Sequence, residues 1–209
     1  MDYNEKQIAI INTGEKLFAL NGFDGTSVRD IAHEAGVNVA MISYYFGSKE
    51  KLMEAVFEKR TNDTRIKVEN LIQDTKLTHL DKVNILIDDY VEKFIERQQF
   101  HKIMMREQLI ENDTPIAGFI HELKKKNYQS IKNLIHEGQK AGAFKKNIDI
   151  PLMMATMVGT VSHLITSQRF YRETNNLEHL TDEEFKKHIR KKLSTHLKNL
   201  FKNSLYNEA

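Results

Sequence analysis

Two prolines in 209 residues leave almost nothing to interrupt a helix. Pro115 follows Asn112-Asp113-Thr114 and Pro151 follows Asp149-Ile150. Both stand where a helix can begin, a position that tolerates proline because its N–H has no partner there anyway. No stretch joins strand alternation to hairpin turn residues. The chain therefore reads as all-α with about nine helices, over roughly 4–21, 27–36, 38–44, 48–73, 80–98, 100–111, 115–137, 151–171 and 182–204. The seventh carries Ile116, Phe119, Ile120, Leu123, Ile131, Leu134 and Ile135 at helical spacing.

Hydrophobic residues make up 40% and charged residues 29%, enough apolar mass for a core without staples or metals. The absence of cysteine excludes disulfides, thiol nucleophiles and thiolate metal sites. It fits a reducing compartment, and a cytoplasmic location is expected. The N-terminus is polar and does not read as a secretory leader. The longest apolar stretch, 152–165, is broken by Thr156, Gly159, Thr160, Ser162 and His163, and is too short for a bilayer. No membrane partner is expected.

The informative segment is 26–53, TSVRDIAHEAGVNVAMISYYFGSKEKLM. Ser27 with Asp30 three residues on forms a capping box that starts a helix. Val28, Ile31, Ala32 and Ala35 form its buried face, and Gly36 supplies the left-handed residue that ends it. Asn38 caps a second short helix. Ile42 and Phe46 turn inward, which leaves Asn38, Val39, Ala40, Ser43 and Tyr44 outside. Two short helices across a tight glycine turn make a helix-turn-helix, whose second helix enters the DNA major groove. Small Val39 and Ala40 permit close approach and thymine methyl contact, and Asn38, Ser43 and Tyr44 offer hydrogen bonds. Thr26, Tyr45 and Lys49 are placed to reach phosphates, and Ser27 is a further candidate DNA-binding residue. Ser48-Lys49 opens the next helix, whose N-terminal N–H groups attract an anion.

The run GFDGTSVRDIAHEAGVNVAMISYYFGSKEKLMEAVF, at 22–57, resembles the DNA-binding domain of the TetR/AcrR family of repressors. The matching parts are GF at 22–23, TSVRDIA at 26–32, AGV at 35–37, YYF at 44–46 and SKEKL at 48–52. The later HEGQKAGAFKKNIDIPLMM, at 136–154, is similar to that family's link between its seventh and eighth helices. The resemblance implies nine helices per subunit and a homodimer built on the last two. It also implies a ligand cavity in the body, and release of double-stranded DNA when a small-molecule effector fills it. By position, Asn38, Val39, Ala40, Ser43 and Tyr44 would face the bases, while Thr26, Tyr45 and Lys49 hold the backbone. Many members carry a basic residue where Val39 stands and a phosphate-binding aromatic where Ser43 stands. The phosphate role therefore shifts towards Tyr44 and Tyr45.

On this reading residues 1–50 form the DNA-binding domain, helix 48–73 connects, and 51–209 form the ligand-binding and dimerisation domain. Candidate pocket residues are Phe94, Phe100, Met104, Met105, Gln108, Phe119, Tyr128 and His163. A plain hydrophobic core explains the same aromatic and methionine stripe. The last helix places Phe185, Ile189, Leu193, Leu197 and Leu200 on one seam. With Met153, Met157, Val161, Leu164 and Ile165 of the helix before, that seam suits a four-helix dimer interface. No metal site and no cofactor are expected, because the nine histidines show no ligand spacing and His163 alone reads as a core residue.

Charge runs against the motif. Residues 1–50 hold four basic and seven acidic groups, whereas 186–202 hold seven basic groups and no acid. A solvated face opposite a packed seam accounts for those C-terminal lysines better than a second DNA site does. Few cations at the reading head imply a shallow salt dependence of binding. The chain is expected to be a regulator rather than an enzyme. No phosphate loop, metal motif or catalytic constellation is present in the sequence. The alternatives are an effector-free DNA-binding protein and an enzyme on a helical body.

Overall fold

The computed structural model describes residues 3–109 and 115–206. Among them there is no strand, and the helices are α1 Glu5–Asn21, α2 Val28–Glu34, α3 Val39–Phe46, α4 Lys49–Gln73, α5 His79–Glu96, α6 Gln98–Leu109, α7 Pro115–Lys140, α8 Ile150–Thr166, α9 Gln168–Thr174 and α10 Asp182–Leu205. The count is ten because the expected helix 151–171 breaks at Ser167, where the two axes diverge by 76°. Side chains compete with the backbone at the break. The Ser167 hydroxyl donates to the His163 carbonyl at 2.6 Å, and Thr166 donates to the Ser162 carbonyl at 2.8 Å.

The chain forms two compact units. The first runs up to Ile66 and includes Gln98–Lys126; the second holds Lys67–Arg97 and everything from Asn127 on. Compactness therefore does not divide the chain at residue 50. The unit containing the helix-turn-helix also takes α6 and the first half of α7.

In the first unit, Ile10, Ile11 and Phe18 of α1, Ile31 of α2, Ile42 of α3, Leu52, Val56 and Phe57 of α4, and Ile103 of α6 are all but inaccessible to water. Phe57 stacks edge-on against Phe100 at 5.3 Å. An ion pair crosses this core. Arg60 of α4 donates from Nε (2.7 Å) and Nη2 (2.6 Å) to Glu15 of α1, which is 4% exposed. A two-pronged bond of this kind holds a buried carboxylate that would otherwise be costly.

Glu107 of α6, 8% exposed, has a less comfortable position. Burial, then the Asp24 carboxylate, push its carboxyl above the usual range, and Arg106 offsets this only partly. Folding thus favours the protonated acid more than the unfolded chain does. Stability from this group is present below the ordinary glutamate value and is lost as pH rises through the elevated one. Glu107→Gln, neutral and of the same shape, should melt higher than the parent at neutral pH. The gap should shrink as pH falls towards 4. A constant or inverted gap in melting scans between about pH 4 and 8 would contradict the assignment.

The second unit is built around α5, α8 and α10. Val83, Ile87, Val91 and Phe94 of α5 pack with Val161 and Ile165 of α8 and with Phe185, Ile189, Leu193, Leu197, Phe201 and Leu205 of α10. This corrects the expected dimer seam. Phe185, Ile189, Leu193 and Leu197, and Val161 with them, are at most 2% exposed inside a single chain. They cannot also face a partner. Met153, Met157, Leu164 and Leu200 are half-buried against the same core. The physical reason is that α5 presents a complementary apolar face to α10, which the periodicity of α10 alone does not reveal.

Candidate nucleic-acid interface

Local chemistry sets each corner of the helix-turn-helix. The Ser27 hydroxyl accepts from the Asp30 N–H at 3.1 Å and donates to its carboxylate at 2.6 Å, while the Ser27 N–H donates to the same carboxylate at 3.0 Å. These bonds hold the Asp30 carboxyl below its usual range. Gly36 takes φ +65, the left-handed turn between α2 and α3. The Asn38 side-chain oxygen accepts from the Ala40 N–H at 2.9 Å, which caps α3. Gly47, at φ +80, ends it.

Within α3 the faces separate sharply. Ile42 is 1% exposed, and Tyr45 and Phe46 lean on the core of the first unit. On the other side Val39 is 40% and Tyr44 83% exposed, and Ala40 and Ser43 are also open to solvent. The Tyr44 ring meets Tyr45 edge-on at 5.2 Å, so it is propped but uncovered. Asn38 spends its oxygen on the cap and keeps its NH2 donors. An exposed helix with small residues early, a free amide and a projecting phenol can lie in a groove and read edges.

Three of the expected DNA contacts are engaged elsewhere. Thr26 is 1% exposed, and its hydroxyl donates to the Gly22 carbonyl at 2.8 Å and approaches that of Leu17 at 3.2 Å. It closes the α1–α2 loop and cannot hold a phosphate. Ser27 is exposed, but its hydroxyl proton is committed to Asp30. The Lys49 ammonium donates to the carbonyls of Phe23 (2.8 Å) and Thr26 (3.0 Å) and sits 4.1 Å above the Phe23 ring. The bonds of Thr26 and Lys49 satisfy main-chain carbonyls that the sequence motif does not display, and that of Ser27 belongs to the helix cap. Arg29 of α2 is a residue that sequence reasoning missed. It is exposed and its guanidinium has no partner among the described residues. It lay in plain sight within the TSVRDIA run as a cation at a helical position pointing away from Ile31 and Ala32.

The expected pocket residues are not brought together in either unit. Phe100, Met104 and Phe119 belong to the core of the first unit, and Phe94 and Tyr128 to that of the second. Met105 is 37% exposed, and the side chain of Gln108 lies outside the described residues. His163 is exposed, not a core histidine. A groove of about 650 Å³ in the second unit is lined instead by Glu69, Asn70, Ile72, Gln73, Asn133, His136, Glu137 and Lys140. Among the described residues, no three side chains gather as metal ligands, and no single helix is long and apolar enough to cross a membrane.

Comparison with known proteins covers nearly the whole chain. Residues 10–56 match the family described as bacterial regulatory proteins, tetR family, and residues 57–191 match the YsiA-like protein, C-terminal region. The chain is 24% identical over 162 residues to the fatty acid metabolism regulator protein of Bacillus subtilis, spanning 78% of this chain and 82% of that one. Its fold is similar to that of the transcriptional regulator FadR from Bacillus subtilis in complex with stearoyl-CoA, at TM-score 0.69 and 20% identity, covering 95% and 99% of the two chains. It is likewise similar to the ketosteroid transcriptional regulator KstR2 of Mycobacterium tuberculosis, at TM-score 0.71 and 17% identity, covering 99% and 98%.

Proposed function

The chain belongs to the TetR family of bacterial regulatory proteins, and on that premise we propose that it represses transcription as a homodimer gripping a palindromic operator, until a long-chain acyl effector loosens it. One observation carries the DNA half of this reading. The face of α3 bearing Asn38, Val39, Ala40, Ser43 and Tyr44 is open to water while Ile42 on its other side is sealed. The first five face bases; Arg29 and Tyr45 flank them and take phosphates.

Two reading heads need a dimer, because successive major-groove faces lie about 34–36 Å apart. With the α10 seam committed to its own core, the outward side of α8 supplies the contact. Leu152 is 64% and Val158 44% exposed there, with Phe170 of α9 at 66%. Large apolar side chains left in water in this way mark a surface meant to be covered.

The acyl half rests on likeness to the fatty acid metabolism regulator protein of Bacillus subtilis and to the fold of FadR in complex with stearoyl-CoA. An amphipathic thioester suits an effector whose chain needs apolar cover and whose head group stays wet.

Selection of bound duplexes from a random pool tests the first half, and a palindrome with half-sites one helical turn apart is expected. Stearoyl-CoA titrated into that complex should weaken it by about 5- to 150-fold, the usual range of coupling between two sites. A pool that stays random removes the DNA reading. A complex indifferent to stearoyl-CoA and to free stearate removes only the acyl effector.

A further inference from the structure

We propose that a second copy of this chain seats on α8 at Gly159, where the two helices cross antiparallel, backbone close to backbone, on the two-fold axis. The proposal rests on the homodimer reading above and adds the point of contact and its direction. From Ile150 to Thr166, α8 carries no Asp, Glu, Lys or Arg. A face that meets its own copy gains from this, because a charge beside a two-fold axis stands opposite itself. The outward side of α8 is Leu152, Ala155, Gly159, His163 and Thr166, all exposed, at spacings of three and four. Val161 and Ile165, on the other side, are buried in the core of the second unit.

Gly159 is the odd residue on that side. Inside a helix, glycine is about fivefold less favourable than alanine. Other helical glycines here are matched to a neighbour. Leu52 stands 3.5 Å from where a β-carbon on Gly14 would lie, and the Phe144 ring 2.2 Å from one on Gly138. A β-carbon on Gly159 would meet nothing within 4 Å among the described residues. Gly118 is equally open, but it lies in the first turns of α7 just after Pro115, where helix bonding is incomplete anyway. Gly159 sits in the middle of α8. No described neighbour accounts for it, whereas close approach of another helix does. Helix axes pack about 8–10 Å apart according to the side chains at the contact, and glycine permits the lower end. The residues around it are also self-complementary. Ala155 and His163 lie four positions either side of Gly159, and Leu152 and Thr166 seven either side. An antiparallel crossing there sets Ala155 opposite the partner's His163 and Leu152 opposite the partner's Thr166, so that large meets small in each layer.

The chain has no cysteine, so introduced thiols report their neighbours without background. A disulfide needs Cα atoms about 4.4–6.8 Å apart. Full-length Gly159→Cys should cross-link to a dimer under copper-catalysed air oxidation, read on denaturing gels without reductant. Ala155→Cys alone should not, because an antiparallel crossing holds the two copies of that position about 12 Å apart along the helices. Adding His163→Cys to Ala155→Cys should restore the cross-link. Gly159→Leu crowds the crossing and should weaken the dimer by about 5- to 150-fold in sedimentation equilibrium. Its helical content by circular dichroism should be kept, since leucine suits an open helix position better than glycine does. A parent protein that sediments as a monomer removes the homodimer reading and this proposal with it. Three results in a dimeric parent overturn the crossing at Gly159 alone and leave the homodimer standing: no cross-link in Gly159→Cys, an equally ready one in Ala155→Cys alone, or unweakened association in Gly159→Leu.

Discussion

Tyr44→Ala should leave the protein folded and nearly unable to hold its operator. The phenol is 83% exposed and its one ring contact is the edge of Tyr45, so the loss to folding stays within about 1 kcal/mol. A good contact at a base edge is worth about 1–3 kcal/mol. In a symmetric dimer the loss is taken twice, about 2–6 kcal/mol, or from roughly thirtyfold to roughly 10⁴-fold in affinity. Gel shift on the selected palindrome, beside a melting scan, measures both. Tyr44→Phe separates hydroxyl from ring: a phosphate or base bond through oxygen would make this variant nearly as weak as the alanine. Full affinity in Tyr44→Ala would remove α3 from the groove.

Ile189→Ala should be the most destabilising of the variants considered. The side chain is fully buried between α10 and α5. Removing three carbons from such a site costs about 2–5 kcal/mol in transfer and cavity terms. For a chain of this length that lowers Tm by roughly 4–20 °C. The loss should be the same at all protein concentrations, because the contact lies within one chain. Val158→Glu on the outer side of α8 should do the opposite. It should leave the single-chain core alone and shift sedimentation towards monomer. If Ile189→Ala instead gave folded monomers with an unchanged melt, the seam would be intermolecular after all.

What was legible beforehand was local. Ser27 with Asp30, Gly36 in the turn and Asn38 at the cap all lie within three or four residues of the groups they satisfy. Chain-neighbour chemistry of this kind is written in the order of residues. The same holds for the two sides of α3, since 3.6-residue spacing sorts Ile42 from Tyr44 without reference to anything else. Helix ends came within a few residues for the same reason. The break at Ser167 was missed, because two hydroxyls beside an apolar helix signal a possible stop without compelling one.

Sequence alone settled that this chain is helical and that one side of α3 stands in water, because propensity, caps and periodicity act over single turns. Tertiary structure decided who occupies whom. Lys49 and Phe23 are 26 positions apart, and Arg60 and Glu15 are 45. Periodicity states that one side of α10 is covered; only the fold reveals that α5, and not a second subunit, covers it. A side chain's spacing tells which way it points, but its partner depends on where distant segments come to rest, and no window of residues contains that.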